Sequence, residues 1–211
     1  MTRLDPAFFA RDAETLAHDL LGRTLVRVLD GQRMSGRIVE TEAYLGPDDL
    51  AAHTAGWLRT PRVEPMYAKP GTAYIYMTYG MHHCLNFSAD REGFPSAVLI
   101  RAIAPVDGVE IMRSHRPNAK RPIDLGNGPA KLCEALVLDR AQSGVDACRS
   151  SELFLEAGDE ACPRKIASSA RVGVAYAGVW ATKPLRFFLD GEAHVSKGRP
   201  TTSGDVRKRL G

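Results

Sequence analysis

An α+β domain built on a mainly antiparallel, curved sheet is predicted for this chain. Short runs of β-branched and aromatic residues recur with a period of two, and helical patterns fall between them without strict βαβ alternation. No linker, internal repeat or low-complexity run interrupts the 211 residues, and a 44% hydrophobic content can fill one core. Residues 1–211 are therefore read as a single domain with flanking helices and one protruding β-hairpin.

Asp5-Pro6 reads as a helix N-cap with proline at the first helical position. Asp12 to Leu21 carries Leu16, Leu20 and Leu21 at helical spacing before Gly22. Thr24–Leu29 and Gly36–Tyr44 flank the turn Asp30-Gly31-Gln32 as a hairpin. Residues 45–70 are rich in Gly, Pro and polar groups and too long for an idle connection. They read as a functional loop with a short helix near Asp48 to Ala55. Gly71 to Ser88 predicts two strands joined near Tyr79-Gly80-Met81-His82, and Ala97 to Ile103 a buried strand. Helices are expected over Asp107–Arg113 and Pro129–Leu138. Residues 140–169 read as irregular, with strand character returning in Ala170–Val174 and Leu185–Leu189.

The segment Arg37 to Tyr44 is the most informative. Strand periodicity puts Ile38, Glu40, Glu42 and Tyr44 on one face and Val39, Thr41 and Ala43 on the other. A carboxylate so close to a core is either paired or functional, the competing reading being a solvated sheet edge. Arg101, alone in an apolar strand, must meet an anion because a guanidinium cannot shed its charge; Glu42 is a candidate partner, and so is any structural carboxylate.

The hairpin tip is unusual, since turns are normally small and polar and this one offers Tyr79, Met81, His82 and His83. Such a tip fits a wedge that enters a membrane surface, a protein groove or stacked nucleic acid, or else a hairpin folded back on its own core. Lys131 opens a predicted helix, a place that can hold phosphate or be an ordinary capped terminus.

Cys84, Cys133, Cys148 and Cys162 form no Cys-x-x-Cys pair, which disfavours a zinc knuckle and fits a reducing compartment, with Cys84 packed in a strand. A net charge of +3 permits a polyanionic partner without demanding one; the clearest basic cluster is Arg207-Lys208-Arg209, read as a solvated tail. No run of 18 apolar residues and no secretory leader is present, so a soluble, cytoplasmic protein without membrane contact is expected; a monomer is expected as well. No Gly-x-Gly-x-x-Gly, P-loop, Gly-x-Ser-x-Gly or His-Glu-x-x-His pattern occurs in a suitable context, and no cofactor is called for.

Taken in order, Gly36–Pro47, Ala52-His53, Lys69–Thr72, Tyr79-Gly80-Met81, Leu99–Ala102, Gly128–Cys133, Arg171–Val174 and Lys183–Phe187 resemble the 3-methyladenine (alkyladenine) DNA glycosylase family, from about Leu16 to Lys197. The resemblance implies a monofunctional, bacterial-type, nucleoid-associated enzyme of base excision repair. It would flip alkylated or deaminated purines out of double-stranded DNA and hydrolyse the N-glycosidic bond. Glu42 would be the general base, with Arg101 and the main chain at Val172 holding the water. Tyr44, His53, Tyr76, Asn86, Val172 and Gly173 would form the base pocket, Asn86 obstructing the exocyclic amino group of guanine. Tyr79, with Met81 and His82, would fill the gap in the minor groove, and Arg62, Lys131 and Lys183 would contact the DNA backbone.

His82 stands where vertebrate members carry tyrosine, residues 89–96 form a longer loop, and the arginine near Trp57-Leu58 is shifted. The competing readings are a non-catalytic binder of damaged DNA and a metal-dependent hydrolase using Glu40, Glu42 and His53. No lysine near Glu42 could form a Schiff base, so no strand-cleaving lyase activity is expected and no metal is assigned.

Overall fold

The computed structural model describes residues 2–158 and 165–210, the last four by backbone alone; Cys162 and the side chains of Arg207, Lys208 and Arg209 lie outside the described residues. Among the described residues eight strands form one sheet, β1 (Thr24–Leu29), β2 (Gln32–Tyr44), β3 (Ala73–Thr78), β4 (His82–Ser88), β5 (Ala97–Pro105), β6 (Leu153–Glu156), β7 (Ile166–Ser169) and β8 (Arg186–Leu189). The main order is β3-β4-β5-β2-β1-β6, with every pairing antiparallel. Along one edge of β2, β1 pairs with residues 32–37 and β8 with 40–42; β7 extends the sheet beyond β8.

One sheet face is covered by α1 (Pro6–Phe9), α2 (Ala13–Asp19), α3 (Val109–His115), α4 (Ile123–Gly126) and α5 (Pro129–Ala135), enclosing Leu16, Leu20, Leu25, Phe87, Ile100 and Leu132. As expected, the Asp5 side chain caps α1, accepting from Phe8 N, and Asp12 caps α2 in the same way, accepting from Thr15 N. The opposite face carries the polar residues described below and is roofed by residues 45–70 and 170–202.

The predicted face assignment of β2 needs one correction. Ile38 belongs to the helix-covered core with Ala43, whereas Val39 packs with Ala102, Ala104 and Leu189. The cause is a β-bulge, for register shifts on both sides of Glu40 put Val39 and Glu40 on one face together. β5 slips at the same place: Ile100 and Ile103 both enter the core, so Ala102 and Arg101 share the other face.

Other expectations shift locally. Residues 48–54 form turns rather than a helix, followed by a 3-10 turn at Ala55–Trp57, because Asp49 turns inward and accepts from Leu45 N and Ala51 N. The stretch 140–169 contains β6 and β7, four-residue strands too short to show a period; β6 is added to the edge of β1. Ala170–Val174 is not a strand, since Arg171 points into the protein and Gly173 has φ 78°. The helix expected at Asp107 starts after Gly108, whose φ of 68° a side chain would strain and whose Cβ would stand 2.5 Å from Arg33 O.

The turned-in Arg171 fastens the roof. Its guanidinium meets Asp49 in a two-pronged pair (2.5 and 2.8 Å), donates to Ala43 O at 2.8 Å, and lies over the Tyr44 ring. Both charged side chains are 0% exposed. Removing one partner strands a buried charge, so Asp49→Ala is expected to lower unfolding stability by about 3–5 kcal/mol. Urea denaturation with an unchanged slope measures this; a loss under ~1 kcal/mol would show the pair to be dispensable.

Candidate active site

Register aligns the site residues across the sheet. Tyr74 on β3 pairs with Asn86 on β4, Asn86 with Leu99 on β5, Leu99 with Glu42 on β2, and Glu42 with Arg186 on β8. Strand spacing makes this a row about 19 Å long. Tyr76, Cys84, Arg101 and Tyr44 lie on the same face, one pleat repeat away along their strands.

Glu42 is 0% exposed and hydrogen-bonded on both oxygens. Val172 N donates to Oε1 at 2.7 Å, Arg101 Nη1 stands 3.2 Å from the same oxygen, and the Tyr44 hydroxyl donates to Oε2 at 3.0 Å. Arg101 therefore does meet Glu42, but its Nε donates to a second carboxylate, Glu40, at 2.8 Å. Glu40 also accepts from Arg186 Nε (2.6 Å), Ser196 Oγ (2.9 Å) and Ser196 N (2.6 Å). Burial disfavours the charged form of Arg101, yet Glu42 and Glu40 outweigh it and hold the guanidinium protonated. Main chain at Gly198 closes over this group, where an added Cβ would stand 3.1 Å from Arg101 Nη2.

Val172, Tyr44 and Arg101, the three donors to Glu42, line a cavity of about 390 Å³, a size usual for small-molecule sites. Glu42 stands directly behind that lining. His53, Tyr76, Asn86, Leu99 and Gly173 also line it, so every expected pocket residue opens on one space. His53 Nδ1 lies 2.9 Å from the Tyr74 hydroxyl, and its ring meets Tyr76 edge-on at 4.6 Å between centroids. Asn86 Nδ2 donates to Tyr74 O and Cys84 O, which fixes the amide against the floor. Burial, then the neighbouring Glu42, pushes the Tyr44 hydroxyl well above its ordinary range; burial and Cys84 do the same to Tyr76. Both phenols stay neutral donors.

At the cavity mouth, Tyr79 and Gly80 take positive φ (52° and 71°) in the turn between β3 and β4. Tyr79 is 88% exposed and Met81 71%, so the tip does not fold back on the core, and His82 is exposed beside them. Each expected backbone-contacting cation has a local partner: Arg62 lines the cavity over the Tyr76 ring, Lys131 donates to Asn127 Oδ1, and Lys183 sits on the Trp180 ring. Among the described residues no group of three or more His, Cys, Asp or Glu could hold a metal ion, and Glu40 is engaged by arginines. Nor is any described helix long and apolar enough to cross a membrane. Sequence reasoning missed Arg186, Ser196, Asp49 and Arg171 as parts of the site; unpaired arginines in apolar runs at 171 and 186 were the available signal.

Burial first, and Arg62 second, lower the His53 pKa from 6.5 to about 4. The unfolded chain then binds the proton first, so this contribution to stability is complete above pH 6.5 and fades as pH falls toward 4. The loss is up to about 3 kcal/mol. Unfolding stability of the wild type minus that of His53→Gln, measured from pH 7.5 to 4, is expected to decline over that window; parallel curves would contradict a buried neutral imidazole.

The family model for methylpurine-DNA glycosylase matches residues 7–193. A protein of Methanocella arvoryzae named as a putative 3-methyladenine DNA glycosylase is 45% identical over 199 residues, covering 94% of this chain and 96% of the relative. The mouse and human proteins named DNA-3-methyladenine glycosylase are 44% and 43% identical over 205 and 206 residues. This chain spans 61% of the mouse protein's length and 68% of the human one's. A family match across nearly the whole sheet and its roof, with relatives this similar, means that the chain belongs to the methylpurine-DNA glycosylase family.

Proposed function

We propose that this protein is a monofunctional DNA glycosylase that extrudes alkylated or deaminated purines from duplex DNA and hydrolyses their N-glycosidic bond. The observation that carries the reading is Glu42, a buried carboxylate whose three donors all line a cavity walled by aromatic rings, with an exposed tyrosine at its mouth. Oε1 takes two donors and Oε2 one, which leaves a lone pair on Oε2 for a water proton.

In the reaction, water attacks C1′ as the C1′–N bond breaks, and the bonding electron pair leaves with the base. Glu42 receives the water proton, and the product is free base and an abasic site. The carboxylate's charge, held in a buried setting, also stabilises the positive sugar that develops. A cationic alkylpurine departs as a neutral base, whereas hypoxanthine or ethenoadenine must be protonated as it leaves. Tyr44, Tyr76 and His53 present faces and edges to a stacked purine, each stack worth about 1–3 kcal/mol, and a cationic base gains roughly 0.5–2 kcal/mol more. Such a pocket favours methylated bases with no contact devoted to the methyl group. No lysine lines the cavity among the described residues, which supports hydrolysis without a Schiff base.

Glu42→Gln keeps an acceptor for Val172 N and removes the base. Single-turnover release of 3-methyladenine, 7-methylguanine, hypoxanthine and ethenoadenine from duplexes should fall by about 10² to 10⁴, with gel-shift affinity for lesion DNA retained. Release near the wild-type rate would overturn the assignment. Tyr79→Ala removes the group proposed to fill the gap left in the stack, at a cost of a few kcal/mol in flipping equilibrium. Fluorescence of a base analogue opposite the lesion should show less extrusion, and an unchanged signal would remove the wedge role.

A further inference from the structure

The sheet face behind the cavity holds four buried charges, Glu40, Glu42, Arg101 and Arg186, each at most 7% exposed by side chain, and they sum to zero. The two carboxylates are not equivalent. Glu42 reaches the cavity lining through Val172 and Tyr44. Glu40 faces only the other members and Ser196, gathering Arg101 Nε, Arg186 Nε and Ser196 Oγ on one oxygen and Ser196 N on the other. Arg101 is thereby shared, 2.8 Å from Glu40 and 3.2 Å from Glu42.

We infer that Glu40 is a positioning residue for excision: it holds Arg101 off full pairing with Glu42, and with Arg186 it sets the net charge that the catalytic carboxylate meets. This inference rests on Glu42 being the base. Were Glu40 neutral, two guanidinium groups would face one carboxylate, and a carboxylate under surplus positive charge takes up a proton less readily. Arg101 would also be free to close on Glu42 and crowd the oxygen pair. Without Arg186 the surplus has the opposite sign. The bulged register of β2 and β5 makes the arrangement possible, because it turns Glu40 and Arg101 to one face.

The other ionisable groups that feel Glu42 are Tyr44 on its own strand, Tyr76 on β3, Cys84 on β4, and Arg171 and Tyr176 in the roof. Burial raises the pKa of each phenol and of the thiol, so none ionises in acid, and Arg171 keeps its charge beside Asp49. His53, also on the cavity, has its pKa lowered to about 4 by burial and by Arg62, neither of which the variants below alter.

The test is the single-turnover rate against pH on duplex DNA carrying 7-methylguanine, a cationic base that needs no protonation to leave, so that the acid limb reports the base alone. Glu40→Gln is expected to slow release ~10-fold or more and to move the acid limb down by about 1 pH unit. Arg186→Gln should move it up, and the double variant Glu40→Gln/Arg186→Gln, again neutral overall, should bring it back toward the wild type. A purely structural role predicts slower rates with superimposable limbs, and that result, or shifts of the same sign in both single variants, overturns the inference. Circular dichroism checks folding; if Glu40→Gln does not fold, Arg186→Gln decides alone, with a downward or absent shift counting against. Glu42→Gln runs in parallel: if it still releases base, the assignment of Glu42 fails, whereas an inert Glu42→Gln beside unshifted limbs sinks only the role of Glu40.

Discussion

Ion pairing inside a sheet is the constraint on which this protein is organised. Carboxylates at 40 and 42 cannot be buried alone, since the loss of hydration far exceeds what a sheet's own hydrogen bonds return. The chain meets that cost with guanidinium groups from two distant strands, Arg101 on β5 and Arg186 on β8, while Arg171 in the roof neutralises the equally buried Asp49. Each is rigid, planar and always charged, which suits it to multi-pronged pairing better than lysine. The same pairs that permit burial also tie loop, sheet and C-terminal segment together around one cavity.

A regular antiparallel sheet would not allow this. With strict alternation, Ile103 and Arg101 share one face, and so do Ile38 and Glu40, so filling the core with isoleucine would drag charge into it. The paired irregularity near Val39 and Arg101 separates the two requirements within a residue or two. Below it, apolar residues stay against the helices; above it, acidic and basic side chains stay against the roof. Bulges beside active sites have this use in general, and here the effect on side-chain direction is visible in which cluster each residue joins.

The cavity and the hairpin tip are complementary in character. The cavity offers neutral phenols, a neutral imidazole and a fixed amide, a surface that stacks flat rings and measures their edges. The tip offers Tyr79 and Met81 to solvent, an arrangement that costs solubility and is kept where a partner covers it. Under the proposed function, a duplex opened at one nucleotide would supply both counterparts at once, a loose base for the cavity and a gap for the tip. A protein groove or a membrane surface would account for the tip and leave the buried Glu42 without a purpose.

Sequence alone determined the hairpin, the capped N-terminal helices, the buried strand at 97–103 and the identity of Glu42, Tyr44, His53, Tyr76, Asn86 and Arg101 as residues to watch. The elements, Glu42, Tyr44 and Arg101 are legible because they follow from period, turn chemistry and the oddity of charge in apolar runs, all local properties; His53, Tyr76 and Asn86 are legible as pocket residues through the family resemblance. Tertiary structure decided which carboxylate pairs with which arginine, that Val39 and Ile38 exchange faces, that Arg171 turns inward instead of lying in a strand, and that β6 and β7 exist at all. Those outcomes depend on partners distant in the chain, more than fifty residues away in every case but β7, which pairs with β8. A bulge or a four-residue strand leaves no period to read, and a buried charge announces only that it needs a partner, the choice of which is made by the fold.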